Sequence, residues 1–236
     1  MNEELTIIIP ARNEEENIGN LLSSICRQDL RNINEVPIII ADARSSDRTV
    51  EVALSFRDRL NISIVEGGLP AEGRNAGARA AESRYLLFLD ADVEVVGRSL
   101  IRRALQSMKR GDRHCVTTWI LAKEKMPLDY LMYAVNAAIQ VLSKYSRPFS
   151  PGAFMLFDRR RFIELGGFNE AVLYAEDYFL TRQLESRRFA VVPGFVRTSS
   201  RRFKKMGRLN FIWLFLKTVM NSGNEAFFFQ NHGYWD

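Results

Sequence analysis

Two rhythms of hydrophobic residues alternate over the first 110 positions. Short unbroken apolar runs occur at LTIIIP (5–10), VPIIIAD (36–42), ISIVE (62–66) and YLLFLD (85–90). Each stops at a proline, an acid or a glycine pair, which predicts buried strands. Between them the apolar residues recur at helical spacing. Positions 18, 21, 22 and 25 predict a helix over 14–28, with its acids in the first turn where the helix dipole favours them. A second helix is predicted over 46–56, with Ser46 as N-cap and Thr49 in the first turn. A Gly/Ala-rich stretch (67–82) precedes the fourth strand, and RSLIRRALQSMKR (98–110) reads as a helix. Strands that are apolar throughout, rather than alternating, belong to a parallel sheet covered on both faces. The expected class is therefore α/β. After residue 110 the rhythm becomes irregular. PLDYLMYAVNAAIQVLSKY (127–145) carries an apolar stripe at 128, 131, 132, 135, 139 and 142, which either packs onto the domain or shapes a pocket for a lipid-linked molecule.

Ligands of open parallel sheets bind outside the carboxyl ends of the strands. Polar residues gather at those ends: Asn13 and Glu14 after the first strand, Asp42 at the second, Asp90 and Asp92 at the fourth. Alternate side chains of an extended segment point the same way, so Asp90 and Asp92 can converge on one ligand. A carboxylate pair at a sheet edge calls for a neutralising charge. A hard divalent cation that also touches phosphate oxygens supplies it; a solvated turn is the plainer alternative. Asp42 either caps a strand-to-helix turn or accepts a base N–H. Arg74, ahead of the small residues 76–81, belongs to a tightly packed helix or reaches a nucleotide. Glu176 and Asp177 open a helical pattern; they are dipole-stabilised acids, or Asp177 is a general base. The chain has no Walker lysine motif and no G-x-G-x-x-G, so neither a P-loop enzyme nor a dinucleotide dehydrogenase is indicated.

The 236 residues, 47% of them hydrophobic and 26% charged, suffice for one sizeable core. Cys26 and Cys115 stand far apart, without metal-ligand spacing or a disulfide framework, which suits core positions in a reducing compartment. The acidic start of MNEELTIIIP lacks the features of a signal peptide, and no apolar run reaches 18 residues. The net charge of +5 suits anionic partners. Six of the twelve residues of RTSSRRFKKMGR (197–208) are basic. Arg201 and Arg202 could clamp a diphosphate, Lys204, Lys205 and Arg208 could meet anionic lipid headgroups, or the segment is a solvated loop. LNFIWLFLKTVMNSG (209–223) reads as an interfacial element or as a core or dimer helix.

Six stretches carry a resemblance: TIIIPARNEEENIGNLLSSI, ADARSSDRTVEVA, GRNAGARAA, LLFLDADVEV, GAFMLFDRRRFIELGGFNE and AEDYFLTRQL. In this order and spacing they resemble a family 2 glycosyltransferase of the GT-A fold, over residues 5–190. The resemblance implies a mostly parallel, Rossmann-like sheet and transfer of a sugar from a nucleotide-diphosphate donor, UDP- or GDP-linked. It implies that Pro10, Ala11, Arg12 and Glu14 line the nucleotide pocket, that Asp42 holds the base and that Arg74 contacts base or diphosphate. Asp90 would lie near ribose and metal, and Asp92 would ligate Mn²⁺ or Mg²⁺. Gly152, Ala153 and Phe154 would flank donor sugar and acceptor. Asp177, with Glu176 beside it, would be the base of a single inverting displacement. The glycine common after the strand-two acid is replaced here by Ala43 and Arg44. The QxxRW motif of processive synthases is missing, which points to a shorter, non-processive member. A nucleotidyltransferase and a non-catalytic nucleotide-sugar-binding homologue are the competing readings. The expected organisation is a transferase domain over 1–200 and a basic, aromatic appendage over 201–236. That appendage would meet a membrane surface or a second copy of the chain. The expected location is cytoplasmic, with the tail against the inner face of the cell membrane, and no nucleic-acid partner is expected.

Overall fold

The four early apolar runs become β1 (Leu5–Ala11), β2 (Pro37–Asp42), β3 (Asn61–Glu66) and β4 (Tyr85–Leu89). They lie parallel in the order β3-β2-β1-β4. The computed structural model from which this comes describes residues 4–123, 127–199, 206–230 and 232. The sheet continues through β7 (Phe154–Asp158), β6 (Cys115–Ala122), β8 (Phe189–Thr198) and β5 (Val93–Val96), making eight strands. Here the parallel rule breaks. Strand β7 runs antiparallel to both β4 and β6, and β5 antiparallel to β8, whereas β6 and β8 are parallel.

Apolar residues at every strand position serve two cores. Ile7, Ile9, Leu87 and Leu89 join one layer with Leu21, Leu22 and Ile25 of α1 (Ile18–Cys26) and Leu100 and Ile101 of α4 (Leu100–Gly111). Ile8, Leu86 and Phe88 point the other way, to Ala71 and Ala78 of α3 (Pro70–Ala80) and to Phe157, Phe162 and Phe168. Phe88 meets Phe168 edge-on, centroids 5.2 Å apart, a favoured aromatic geometry. Helix α3 lies low on β1. A Cβ at Gly77 would come within 2.4 Å of Ile8 Cγ2, so only glycine permits this approach.

Two helix starts differ from expectation. Helix α1 begins at Ile18, with no acid in its first turn. Glu14 is instead buried in the preceding turn: its amide donates to Thr49 Oγ1 at 2.7 Å, and its Oε2 accepts from Asn17 Nδ2 at 2.8 Å. Helix α2 (Thr49–Leu54) begins three residues after Ser46. Asp47 Oδ1 takes the Thr49 amide at 3.0 Å, while the Ser46 amide donates to Asn13 Oδ1 at 2.9 Å. Side chains that tie the β1 and β2 loops together have displaced the simpler cap.

Helix α5 (Pro127–Ser143) follows β6, and α6 (Arg159–Glu164) ends at Gly166 and Gly167, both at positive φ. Helix α7 (Glu176–Thr181) precedes β8. Beyond it, α8 (Arg208–Met220) and α9 (Glu225–Phe228) pack back on the body: Leu214, Phe227 and Phe228 form a small core with Val172 and Tyr174. Arg201, Arg202, Lys204 and Lys205 lie outside the described residues. No helix among the described residues is long and apolar enough to cross a membrane.

Candidate active site

A cleft of about 1380 Å³ opens over the carboxyl ends of β1 and β4. Pro10, Ala11, Arg12, Asn13 and Glu14 form one wall, and Asp90, Ala91 and Asp92 form its floor. Gly152 and Ala153, just before β7, and Glu176 and Asp177, opening α7, face them. The central position of β7 next to β4 is what brings residue 152 to residue 90.

Arg74 joins these elements. It projects from α3, its side chain 3% exposed, and spans two carboxylates. Nη2 meets Asp90 Oδ1 and Nη1 meets Glu176 Oε1, each at 2.6 Å. Burial alone would favour a neutral guanidine. Asp90, Glu176 and Asp177 outweigh it, so the pKa of Arg74 is raised and its charge is secure. Gly152 packs on the same guanidinium: a Cβ there would fall 2.4 Å from Nη2.

Asp177 is held from two sides. Its Oδ2 accepts the Gly152 amide and its Oδ1 the Tyr178 amide, both at 2.7 Å. Ala175, just before the helix, is in the left-handed conformation (φ 54°, ψ 43°), a strain of about 1–2 kcal/mol for a residue with a Cβ. Burial first, then the charge of Glu176, pushes the Asp177 carboxyl up to about 7; Arg74 and the two amides oppose them. A carboxylate poised near neutrality suits proton acceptance.

Asp92 lines the cleft, and its Oδ2 accepts from Thr198 Oγ1 at 3.2 Å. Lys123 Nζ reaches the Asp92 carbonyl at 2.9 Å. Pairing of β5 with β8 brings Val93 opposite Thr198 and so delivers this hydroxyl. Sequence reasoning missed Thr198 and Lys123, although Thr198 lies inside the basic stretch 197–208. Among the described residues no group of three or more acids, histidines or cysteines could hold a metal ion by itself. Asp92 offers a hard oxygen donor that fits a cation completing its shell with diphosphate and water, as Mg²⁺ does, while Asp90 Oδ1 is held by Arg74.

Two expected site residues do not themselves line the cleft, although Asp42 pairs with Ala11 of its wall. Asp42 is not among the described residues lining the cleft. Its Oδ2 accepts the Ser45 amide at 3.0 Å and its Oδ1 the Ser45 hydroxyl at 2.6 Å, the local turn cap that its position also allowed. Phe154 is 1% exposed and belongs to the core beneath α1, with its carbonyl accepting from Thr117 Oγ1. Its neighbours Gly152 and Ala153 do line the cleft.

Comparison with known proteins agrees with this fold. The poly(ribitol-phosphate) β-N-acetylglucosaminyltransferase TarS of Staphylococcus aureus is 30% identical over 93 residues, 38% of this chain and 16% of that protein. The 4,4'-diaponeurosporenoate glycosyltransferase of Staphylococcus haemolyticus is 34% identical over 113 residues, 46% of this chain and 29% of that protein. The chain thus spans under a third of these curated relatives. In three dimensions it superposes on S. aureus TarS 1–349 in complex with UDP with a TM-score of 0.65 at 20% identity, covering 83% of this chain and 60% of that one. It superposes on the Pyrobaculum calidifontis mannosyltransferase PcManGT, in complex with GDP-Man and Mn²⁺, with a TM-score of 0.67 at 21% identity, covering 88% and 62%. The shared architecture is the GT-A fold. The Glycosyl transferase family 2 model matches residues 6–166, most of the sheet and the floor of the cleft, and the chain belongs to that family.

Proposed function

We propose that this chain transfers a glycosyl group from a nucleoside diphosphate sugar to an acceptor oxygen by one inverting displacement. The observation that carries the reading is Asp177: a buried carboxylate, held by two amides, in the same cleft as Asp90 and Asp92. UDP-GlcNAc and GDP-Man, bound by the similar structures, name the donor class. The loop Pro10–Glu14 takes the nucleotide, and Asp90 faces its ribose. Asp92, with the donor's diphosphate oxygens, would hold Mn²⁺ or Mg²⁺, which supplies charge neutralisation for the departing diphosphate.

The rest falls to the chain's own groups. Asp177 accepts the proton of the acceptor hydroxyl, or orients an acceptor phosphate that already carries its charge. The acceptor oxygen bonds to the anomeric carbon, the bond from that carbon to the diphosphate oxygen breaks, and the electron pair leaves with the nucleoside diphosphate. Glu176 acts as a positioning residue: it is engaged by Arg74 and keeps α7 facing β4. Thr198 orients the Asp92 carboxylate.

Thermal shift with UDP, GDP, CDP and dTDP, each with and without Mn²⁺, tests the donor half. Stabilisation by one diphosphate, dependent on Mn²⁺ and lost in Asp92→Ala, is expected. Loss of transfer in Asp177→Asn, with nucleotide binding kept, tests the chemical half. Full transfer by that variant would overturn the assignment of the base.

A further inference from the structure

Helix α5 packs Met132 and Tyr133 on the main core, yet it also buries polar residues and leaves part of its apolar stripe uncovered. Asp129 and Gln140 are fully buried and Ser143 is 7% exposed, all facing the protein. Leu131, Val135 and Leu142 of its apolar stripe are 61%, 43% and 65% exposed. Helix α8 does the same with Leu216 and Val219, 48% and 50% exposed. All five line the cleft that holds Asp177, as does Ile212. The cleft thus has a charged end at β1 and β4 and an apolar end between α5 and α8. Its volume of about 1380 Å³ exceeds the roughly 300–1,000 Å³ of an ordinary small-molecule site. A nucleotide sugar has no use for the apolar end.

From this continuity we propose that the acceptor is amphiphilic: its head meets Asp177 and one long hydrocarbon chain lies between α5 and α8. This rests on the glycosyl-transfer reading and adds the acceptor class to it. Leaving these leucines and valines in water is unfavourable for the empty protein. A hydrocarbon occupant removes that cost, and it enters a cavity that already leads to Asp177.

Calorimetric titration with n-alkyl phosphates from butyl to dodecyl, below their aggregation concentrations, tests this. The protein is held saturated with its preferred nucleoside diphosphate and Mn²⁺. One site is expected, tightening roughly three- to fourfold per added methylene, with a negative heat-capacity change. The double variant Val135→Asp/Leu216→Asp, at two exposed positions, should flatten that series; nucleotide binding reports that it is folded. Affinity independent of chain length in the wild type, with nucleotide bound normally, overturns the acceptor class and leaves the transferase reading standing. No nucleotide binding at all overturns the transferase reading instead. A wild-type dimer in sedimentation that the double variant converts to monomer would show that a second copy covers the stripe, and overturns the proposal. If the double variant does not fold, the wild-type series still separates the two outcomes, because affinity either rises with chain length or does not.

Discussion

Arg74 and Glu176, 102 positions apart in the chain, meet at 2.6 Å with almost no solvent access. With Asp90 on the other arm, this pair ties the α3 layer to the helix that carries the base. A fully buried charge of this kind contributes little if both partners are exchanged for well-packed apolar groups, and much if one partner is lost.

Removing Arg74 therefore has a defined cost. Arg74→Met should lower stability by about 3–5 kcal/mol, because the buried Glu176 and the partly exposed Asp90 lose their counter-charge. Arg74→Lys keeps the charge but cannot fork to both acids, and should fall between the two. Urea unfolding of the three proteins at pH 7.5 measures this.

Gly152→Ala tests the packing on the guanidinium. The new Cβ would come 2.4 Å from Nη2 of Arg74. An arginine tip usually yields at little cost, but this one is held by two ion pairs. The substitution should cost about 1–3 kcal/mol of stability and weaken transfer by displacing the Gly152 amide from Asp177. Thermal denaturation and steady-state kinetics report the two effects separately.

The pH dependence follows from Asp177. Its folded pKa is raised to about 7 from an ordinary carboxylate value near 3.8. The folded state thus binds this proton more tightly than the unfolded chain does. Stability from this group is full at low pH and is lost as pH rises through about 7. The rate runs the other way, since the base must be unprotonated: kcat/KM should climb through that same range and level above it. Asp177→Asn should abolish the stability trend and reduce transfer by about 10²–10⁴-fold. Unfolding midpoints at pH 5 and 8 and a pH–rate profile check both signs.

Asp92→Asn should weaken Mn²⁺ binding in the presence of the nucleoside diphosphate without unfolding the protein, since the amide can still accept from Thr198. Electron paramagnetic resonance of free Mn²⁺ measures this without any turnover. Unchanged Mn²⁺ affinity would remove Asp92 from the metal site.

Much of the sheet, and one wall and the floor of the cleft, were legible in the sequence. Strands buried on both faces are largely apolar, so β1, β2 and β4 stand out, and Asn13, Glu14, Asp90 and Asp92 beyond β1 and β4 mark the cleft. Short-range rules did less well where side chains from distant loops compete. Asn13 and Asp47, not Ser46, organise the start of α2, and the Glu14 carboxylate accepts from Asn17 in the turn before α1 rather than meeting a helix dipole. The antiparallel β7 carries no mark in the apolar pattern, because a central strand reads alike in either direction. For that reason Gly152 could be placed near the donor only by resemblance, and Phe154 was placed there although its alternation turns it into the core. Nor can periodicity tell which way an apolar stripe faces, as α5 shows.

The small aromatic core of Tyr174, Phe227 and Phe228 packs against Ala175 in its left-handed turn, just ahead of Asp177, the proposed base. The two C-terminal helices are in this sense a buttress for the catalytic loop. A chain cut after β8 would retain a nucleotide cradle while its proton acceptor lost its footing, so binding and turnover would part company at the tail.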